Sequence, residues 1–312
     1  MPIVSPLPWR HAYFENIECP PDVCIPTSDT VAYKMIPRHN FIYNKLFIAD
    51  SQGLDCAPHG VQPEKFPVFS KPVYNLRGNS AKSEILTSLE HYRANTYCGH
   101  MWSELLVGDQ LSTDVAVADG EPVWHVQTFC YLGKQGTFDY FEVAPKKQNP
   151  EDAEYLYKWV RQFLKGYTGM VNFETVGGKI VEGHIRFSDM WADIYGRDWL
   201  ESMVELYKTG KWNYRGRIET GYAVLLYVDH GYSYKIPPSS LVNQLSQKES
   251  VSSIQFPFYD DWPPEYFAMP FGGFRYAQIN GWDLEACRQY REEILEYALK
   301  TRQEVRPLQT II

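Results

Sequence analysis

Long apolar runs are missing from this chain of 312 residues. None approaches the ~18 residues that a membrane span needs, and one of the longest, Tyr222–Val228, has the length of a strand. Paired cysteines are missing as well. Six of them (Cys19, Cys24, Cys56, Cys98, Cys130 and Cys287) are scattered without any C-x-x-C spacing, so reduced thiols are expected rather than a disulfide frame or a zinc site. There is no surplus of positive charge. The net charge is −8, which argues against coating nucleic acid, and neither a basic tract nor a Lys-x-Asp-Gly adenylation motif occurs. The opening MPIVSPLPWRH has neither a charged n-region nor a continuous apolar stretch, so no secretory signal is expected and the cytoplasm is the expected location.

What is present is globular in kind. Hydrophobic residues make up 44% and charged residues 22%, which excludes wholesale disorder. Aromatic residues reach 15% and supply large, rigid surfaces for burial. Residues 1–40 are rich in proline and weakly periodic, which predicts an extended arm lying over another surface. Residues 41–215 read as the main domain, and 216–312 as a C-terminal α+β extension. Within the main domain, Phe41–Gln52 has helical spacing and ends at Gly53. Phe66–Ser70 reads as a buried strand that ends at Lys71, and Ser80–Arg93 as a helix. Cys98–Leu106, Leu111–Ala118 and Glu121–Tyr131 read as an antiparallel meander, its second turn being the hairpin pair Asp119-Gly120. Glu151–Lys165 is expected to be a helix, and Gly169–Thr175 and Lys179–Phe187 a second hairpin about Gly177-Gly178. Helices over Trp199–Thr209 and Leu284–Gln303 follow, with a strand at Tyr222–Val228 and a proline-rich stretch at Asp260–Pro264. The alternation predicts an α+β fold of two small mixed layers that face each other.

Three segments carry residue types that ordinary strand ends do not need. PVFSKPVYNLRGNS (Pro67–Ser80) places Lys71 at a strand end and Arg77-Gly78 at a helix start, which suits phosphate oxygens, or equally a solvated strand end. MWSELLVGDQLSTDVAVADG (Met101–Gly120) strings Glu104, Gly108, Ser112 and Asp114 along two strands and their connection. In GMVNFETVGGKIVEGHIRFSD (Gly169–Asp189), Asn172 and Glu174 share one strand face, because side chains alternate with period two. Glu182, His184 and Arg186 share a face of the returning strand, and the Gly-Gly turn brings the two faces together. Carboxylate and amide oxygens gathered in this way suit magnesium, or they simply face water. Lys45 stands within the Phe41–Gln52 helix.

Taken in order, these segments resemble the ATP-grasp superfamily over roughly residues 40–190, and the domain that usually precedes the grasp is not expected in this chain. The resemblance implies two facing α+β lobes with a nucleotide cleft between them. It implies ATP with Mg2+ (or Mn2+) as cofactors, and an ATP-dependent ligase that joins a carboxylate to an amine or thiol through an acyl phosphate. Lys45 and Lys71 match the family's phosphate-contacting lysines. Arg77, Gly78 and Asn79 stand where a longer glycine-rich flap closes over the phosphates. Glu104, Leu105 and Leu106 match the adenine hinge; Gln110 takes the place of the ribose-binding glutamate, with Asp109 beside it. Glu182 in IVEGHIR matches the metal-bridging glutamate, His184 replaces an asparagine ligand, and Asn172 falls where an acidic or glutamine ligand sits. Arg186 matches the arginine that holds the transferred phosphate, so Arg186 and Lys71 are the catalytic candidates. The implied partner is a small-molecule or peptide carboxylate, with neither membrane nor nucleic acid required and a homo-oligomer compatible. Acceptor candidates are Asp189–Tyr195, Arg215, Arg217 and Arg275. A degenerate grasp fold, serving as a nucleotide-binding or structural scaffold, is the alternative.

Overall fold

The computed structural model describes residues 3–4, 10, 12–76, 83–134, 136–258 and 273–304. Asp260–Pro264 and the flap residues Arg77, Gly78 and Asn79 lie outside them. The chain forms two compact units, the first from residues 1–130 and 144–218, the second from 131–143 and 219–312. Residues 131–143 therefore belong with the C-terminal unit although they fall inside the 41–215 segment. No helix among the described residues is long and apolar enough to cross a membrane.

The first unit holds two antiparallel sheets. The smaller has the order Cys56–Pro58, His100–Glu104, Val68–Pro72, Glu84–Leu86. Val68, Leu86, Tyr92 and Trp102 form its core. Because side chains alternate along a strand, the Lys71 side chain leaves the face opposite Val68 and Ser70. Two expectations are corrected here. The predicted Ser80–Arg93 helix is a strand at Glu84–Leu86 and a helix only over Leu89–Ala94. Ser88 sets that start, since its hydroxyl accepts the His91 N–H at 3.1 Å as an N-cap. The predicted meander is also broken: His100–Glu104 pairs with Cys56–Pro58 and Val68–Pro72, and Gln110–Ala118 belongs to the larger sheet. Gly108 allows this departure. Its φ is +140°, and a Cβ there would lie 2.6 Å from Gly177 Cα, so only glycine lets the connection press against the second hairpin.

The larger sheet of this unit runs Lys179–His184, Gly169–Val176, Gln110–Ala118, Glu121–Leu132. Both expected two-residue turns form, with positive φ at Asp119, Gly120, Gly177 and Gly178 as hairpin turns of this length demand. One face is apolar. Val115, Val117, Val171 and Phe173 pack with Trp159 and Val160 of the Pro150–Phe163 helix and with Ile42 and Ile48. The opposite face carries Ser112, Asp114, Asn172 and Glu174. The expected Phe41–Gln52 helix is a 3-10 turn over Pro37–Tyr43 and then a helix over Lys45–Asp50. Asn44 divides them, because its side-chain oxygen accepts the Leu46 and Phe47 N–H groups, both at 3.1 Å. The arm is not merely extended. It forms the helix Asp29–Met35 and buries Ile25, Thr27 and Ala32.

The second unit is a sheet of Phe138–Val143, Gly221–Val228, Phe274–Gly281 and Val251–Gln255, all antiparallel. Its core joins Val224, Leu226, Tyr276 and Ile279 to Cys287, Ile294 and Ala298 of the Leu284–Thr301 helix. The Phe138–Val143, Phe274–Gly281 and Val251–Gln255 strands were not expected from the sequence.

Candidate functional site

The polar residues of the third segment do meet, and they meet two buried lysines. In the register of the second hairpin Asn172 lies opposite His184 and Glu174 opposite Glu182. Lys45 is the first residue of its helix, so its side chain starts from a fixed backbone; its Nζ reaches Glu182 Oε1 at 2.8 Å. Lys71 Nζ donates to the Val181 carbonyl at 2.8 Å, from the smaller sheet to the larger. Both lysines are only 5% exposed. Burial pushes the Lys71 ammonium down to about 8 against the opposing pull of Glu182. Burial alone would raise the Glu182 carboxyl, but Lys45, His184 and Lys71 outweigh it and hold it below the usual carboxylate range.

Around His184 lies a second layer. Its Nδ1 is 3.0 Å from Asp29 Oδ1. Asp29 also takes Arg186 in a two-pronged pair, Nε to Oδ1 at 2.8 Å and Nη2 to Oδ2 at 3.0 Å. Burial would lower His184, but Asp29 outweighs it and the imidazole is raised to about 9. Likewise burial would raise Asp29, and Arg186 with His184 instead holds it far below the usual carboxylate range. His184 Nε2 is buried and has no hydrogen-bond partner. It stands 3.7 Å from Glu174 Oε1 and 3.9 Å from Glu182 Oε2.

This donor set fits a divalent ion. Glu174, Glu182 and His184 each offer one ligand atom, all within 4.8 Å of one another. Neighbouring donors on an ion with bonds of ~2.1 Å lie roughly 3–3.5 Å apart, so the 3.7 and 3.9 Å separations from Nε2 need only small side-chain shifts to close on one. Lys45 holds one oxygen of Glu182, and the other remains for an ion. The orphaned Nε2, aimed at two carboxylates, is the observation that separates this group from an ordinary acidic cluster.

Asn172, the other expected ligand, lies opposite His184. Its amide donates to Ser112 Oγ and Asp114 Oδ1, both at 2.9 Å. Asp114, fully buried, further accepts the Ser188 N–H and the Tyr195 hydroxyl, each at 2.8 Å. Burial raises its carboxyl despite those donors. Asp114 thus ties the segment after Arg186 to the sheet, and Trp191 and Tyr195 of the expected acceptor stretch are buried in that knot. Asp189 of the same stretch pairs with Arg10. In the hinge stretch, Glu104 Oε1 accepts the Asp55 N–H at 3.2 Å, Leu105, Leu106 and Gln110 are half-buried, and Asp109 is exposed, its carbonyl accepting the Gly177 N–H at 3.1 Å. Arg77 lies outside the described residues.

Sequence reasoning passed over Asp29. It lies 155 residues from His184 and, read along the chain, is an ordinary acid in the first turn of a helix. Glu174 was legible as a face-sharing residue, and the structure adds it to Glu182 and His184.

No family model and no curated protein matches the chain. Solved structures do resemble it. The L-amino acid ligase from Bacillus licheniformis aligns with a TM-score of 0.59 at 12% identity, covering 96% of this chain and 84% of that one. Phosphoribosylamine–glycine ligase from Thermotoga maritima gives 0.59 at 15% identity, covering 89% and 83%. The biotin carboxylase domain of Hydrogenobacter thermophilus 2-oxoglutarate carboxylase, solved in complex with MgADP, ADP and bicarbonate, gives 0.53 at 13% identity, covering 88% and 68%. At such identities the likeness is one of fold, and together with the order of strands, turns and lysines it places this chain in the ATP-grasp fold.

Proposed function

We propose that the chain is an ATP-dependent ligase, binding ATP with a divalent ion and activating a carboxylate for attack by an amine or thiol. The observation that carries this reading is the pair of buried lysines, Lys45 and Lys71, converging beside the Glu174–Glu182–His184 cluster. Lys45 already has the Glu182 carboxylate, whereas Lys71 holds only the neutral Val181 carbonyl, and the phosphates of a nucleotide would supply the anionic oxygen that it lacks. The lobes of the first unit would hold the nucleotide, with Glu104, Leu105, Leu106, Asp109 and Gln110 along the adenine and ribose. Glu174, Glu182 and His184 would hold the ion, which when bound offsets phosphate charge. The protein's part is alignment and charge neutralisation: Lys71 would meet phosphate oxygens, and Arg186 would hold the group in transfer with the guanidinium N–H groups that Asp29 does not take.

Thermal unfolding with ADP and Mg2+ or Mn2+ tests the nucleotide site. Stabilisation near ~2.7 kcal/mol is expected at a hundredfold excess over Kd, and no shift at millimolar nucleotide would remove the assignment. A second reading, a nucleotide-binding scaffold without phosphoryl transfer, has one observation in its favour. The Arg186 guanidinium is turned into Asp29. Binding of ADP together with no ADP release from ATP across a panel of carboxylates and amines would select that reading.

A further inference from the structure

The proposed metal site reaches beyond its two strands into the arm, and this inference rests on that site being a metal site. Asp29 is a carboxylate with no proton to give, so the 3.0 Å contact to His184 requires the imidazole to donate from Nδ1. That contact fixes the ring. With Nδ1 committed, Nε2 is the atom left facing Glu174 and Glu182, where it makes no hydrogen bond, and an ion bound there would displace any proton it carries. Asp29 cannot swing away freely, because Arg186 grips both its oxygens. The chain of contacts runs from Arg186 to Asp29 to His184 and ends at a nitrogen that makes no hydrogen bond. The Tyr43 ring, 6.0 Å from the imidazole and edge-on to it, closes another side.

We propose that Asp29 is the positioning residue of a nitrogen-ligated divalent-metal centre, holding His184 so that Nε2 binds an ion of the manganese type together with Glu174 and Glu182. A ligating histidine commonly donates its other N–H to a carboxylate, which orients the ring and makes it a stronger donor. Imidazole nitrogen suits transition metals better than magnesium, which favours oxygen and water, and the two carboxylates suit manganese among them. The arm thereby becomes part of the metal site, although it contributes no atom to the ion itself.

Mn2+ alone, titrated into the full chain and followed by electron paramagnetic resonance, tests this without nucleotide or turnover. The bound ion is expected to show electron spin-echo modulation from one directly coordinated 14N. Asp29→Asn should weaken Mn2+ binding about 10- to 100-fold. In a His184→Asn background the same change should stay within about twofold, the scatter of independent sites. An equal penalty in both backgrounds would make Asp29 merely structural, and Mn2+ bound without 14N modulation would refute the nitrogen ligand; either result overturns the proposal. No Mn2+ binding at all overturns it too, while ADP binding measured without metal reports separately on the nucleotide reading. Should Asp29→Asn fail to fold, the His184 Nδ1–H resonance of the unmodified chain decides. Its persistence at low field when diamagnetic Zn2+ is added sustains the relay, and its loss refutes it.

Discussion

Two charged clusters in this molecule look alike on a list of ion pairs and differ in what their bonds leave over. In the second unit Asp139 pairs with Arg288 at 2.8 Å and with Arg291, whose guanidinium also meets Glu292 and the Leu225 carbonyl. Burial would raise the Asp139 carboxyl, and the two arginines outweigh it. Those side chains are 19–32% exposed, so water satisfies what the protein does not. The first unit's cluster is drier, yet it keeps a lysine displaced to about 8 and an imidazole nitrogen with no hydrogen bond. Unused bonding capacity under burial is costly, and it is the feature that points to a ligand. The number of charges is not.

The sharpest way to break this comparison is Glu182→Gln. It removes a carboxylate from the ion cluster, and loss of measurable Mn2+ binding in an electron paramagnetic resonance titration is expected, whereas Asp139→Asn should leave the titration unchanged. Retained Mn2+ binding in Glu182→Gln would make the two clusters equivalent. Lys71→Ala comes next. Removing a charge-assisted contact to phosphate costs ~1.5–3 kcal/mol, which calorimetry with MgADP should read as a roughly 10- to 100-fold weaker Kd. Lys71→Arg should not restore it fully, because a planar guanidinium needs a different geometry.

The displaced lysine also predicts a pH dependence. Below pH 8 the free protein carries the Lys71 proton, and MgADP binding is expected to be strongest there. Above pH 8 that proton must be taken up on binding, so MgADP affinity should fall with rising pH, by at most about tenfold per unit. A flat profile from pH 7 to 9 would place Lys71 away from the phosphates. The smallest effect is expected from Arg291→Ala, ~1 kcal/mol or less of stability by urea unfolding, as for a partly exposed pair, with unchanged MgADP affinity.

Much of the candidate site was legible from local rules. Period-two alternation and the Gly177-Gly178 turn fixed which of Asn172, Glu174, Glu182 and His184 would share a face, and the register agrees. Other readings failed where a single cap or contact overrode periodicity. Asn44 divided the Phe41–Gln52 helix, and Ser88 delayed the helix after Glu84–Leu86. In the second unit, Phe274–Gly281 was illegible because its buried residues mix Tyr, Gln, Asn and Gly with apolar ones, and Phe138–Val143 and Val251–Gln255 are short and interrupted by Asp and Glu or by two Ser.

By itself, then, the sequence determined the hairpins, the apolar face that the Pro150–Phe163 helix covers, and the order of lysines and acids along the chain. Those features depend on spacing between near neighbours, which a linear reading contains. Only the tertiary structure decided that Lys45 and Lys71 are buried, that Asn172 turns to Asp114, and that Asp29 closes on His184 and Arg186. The Asp29–His184 contact joins residues 155 positions apart, and which distant carboxylate satisfies a buried cation is settled by packing, not by periodicity.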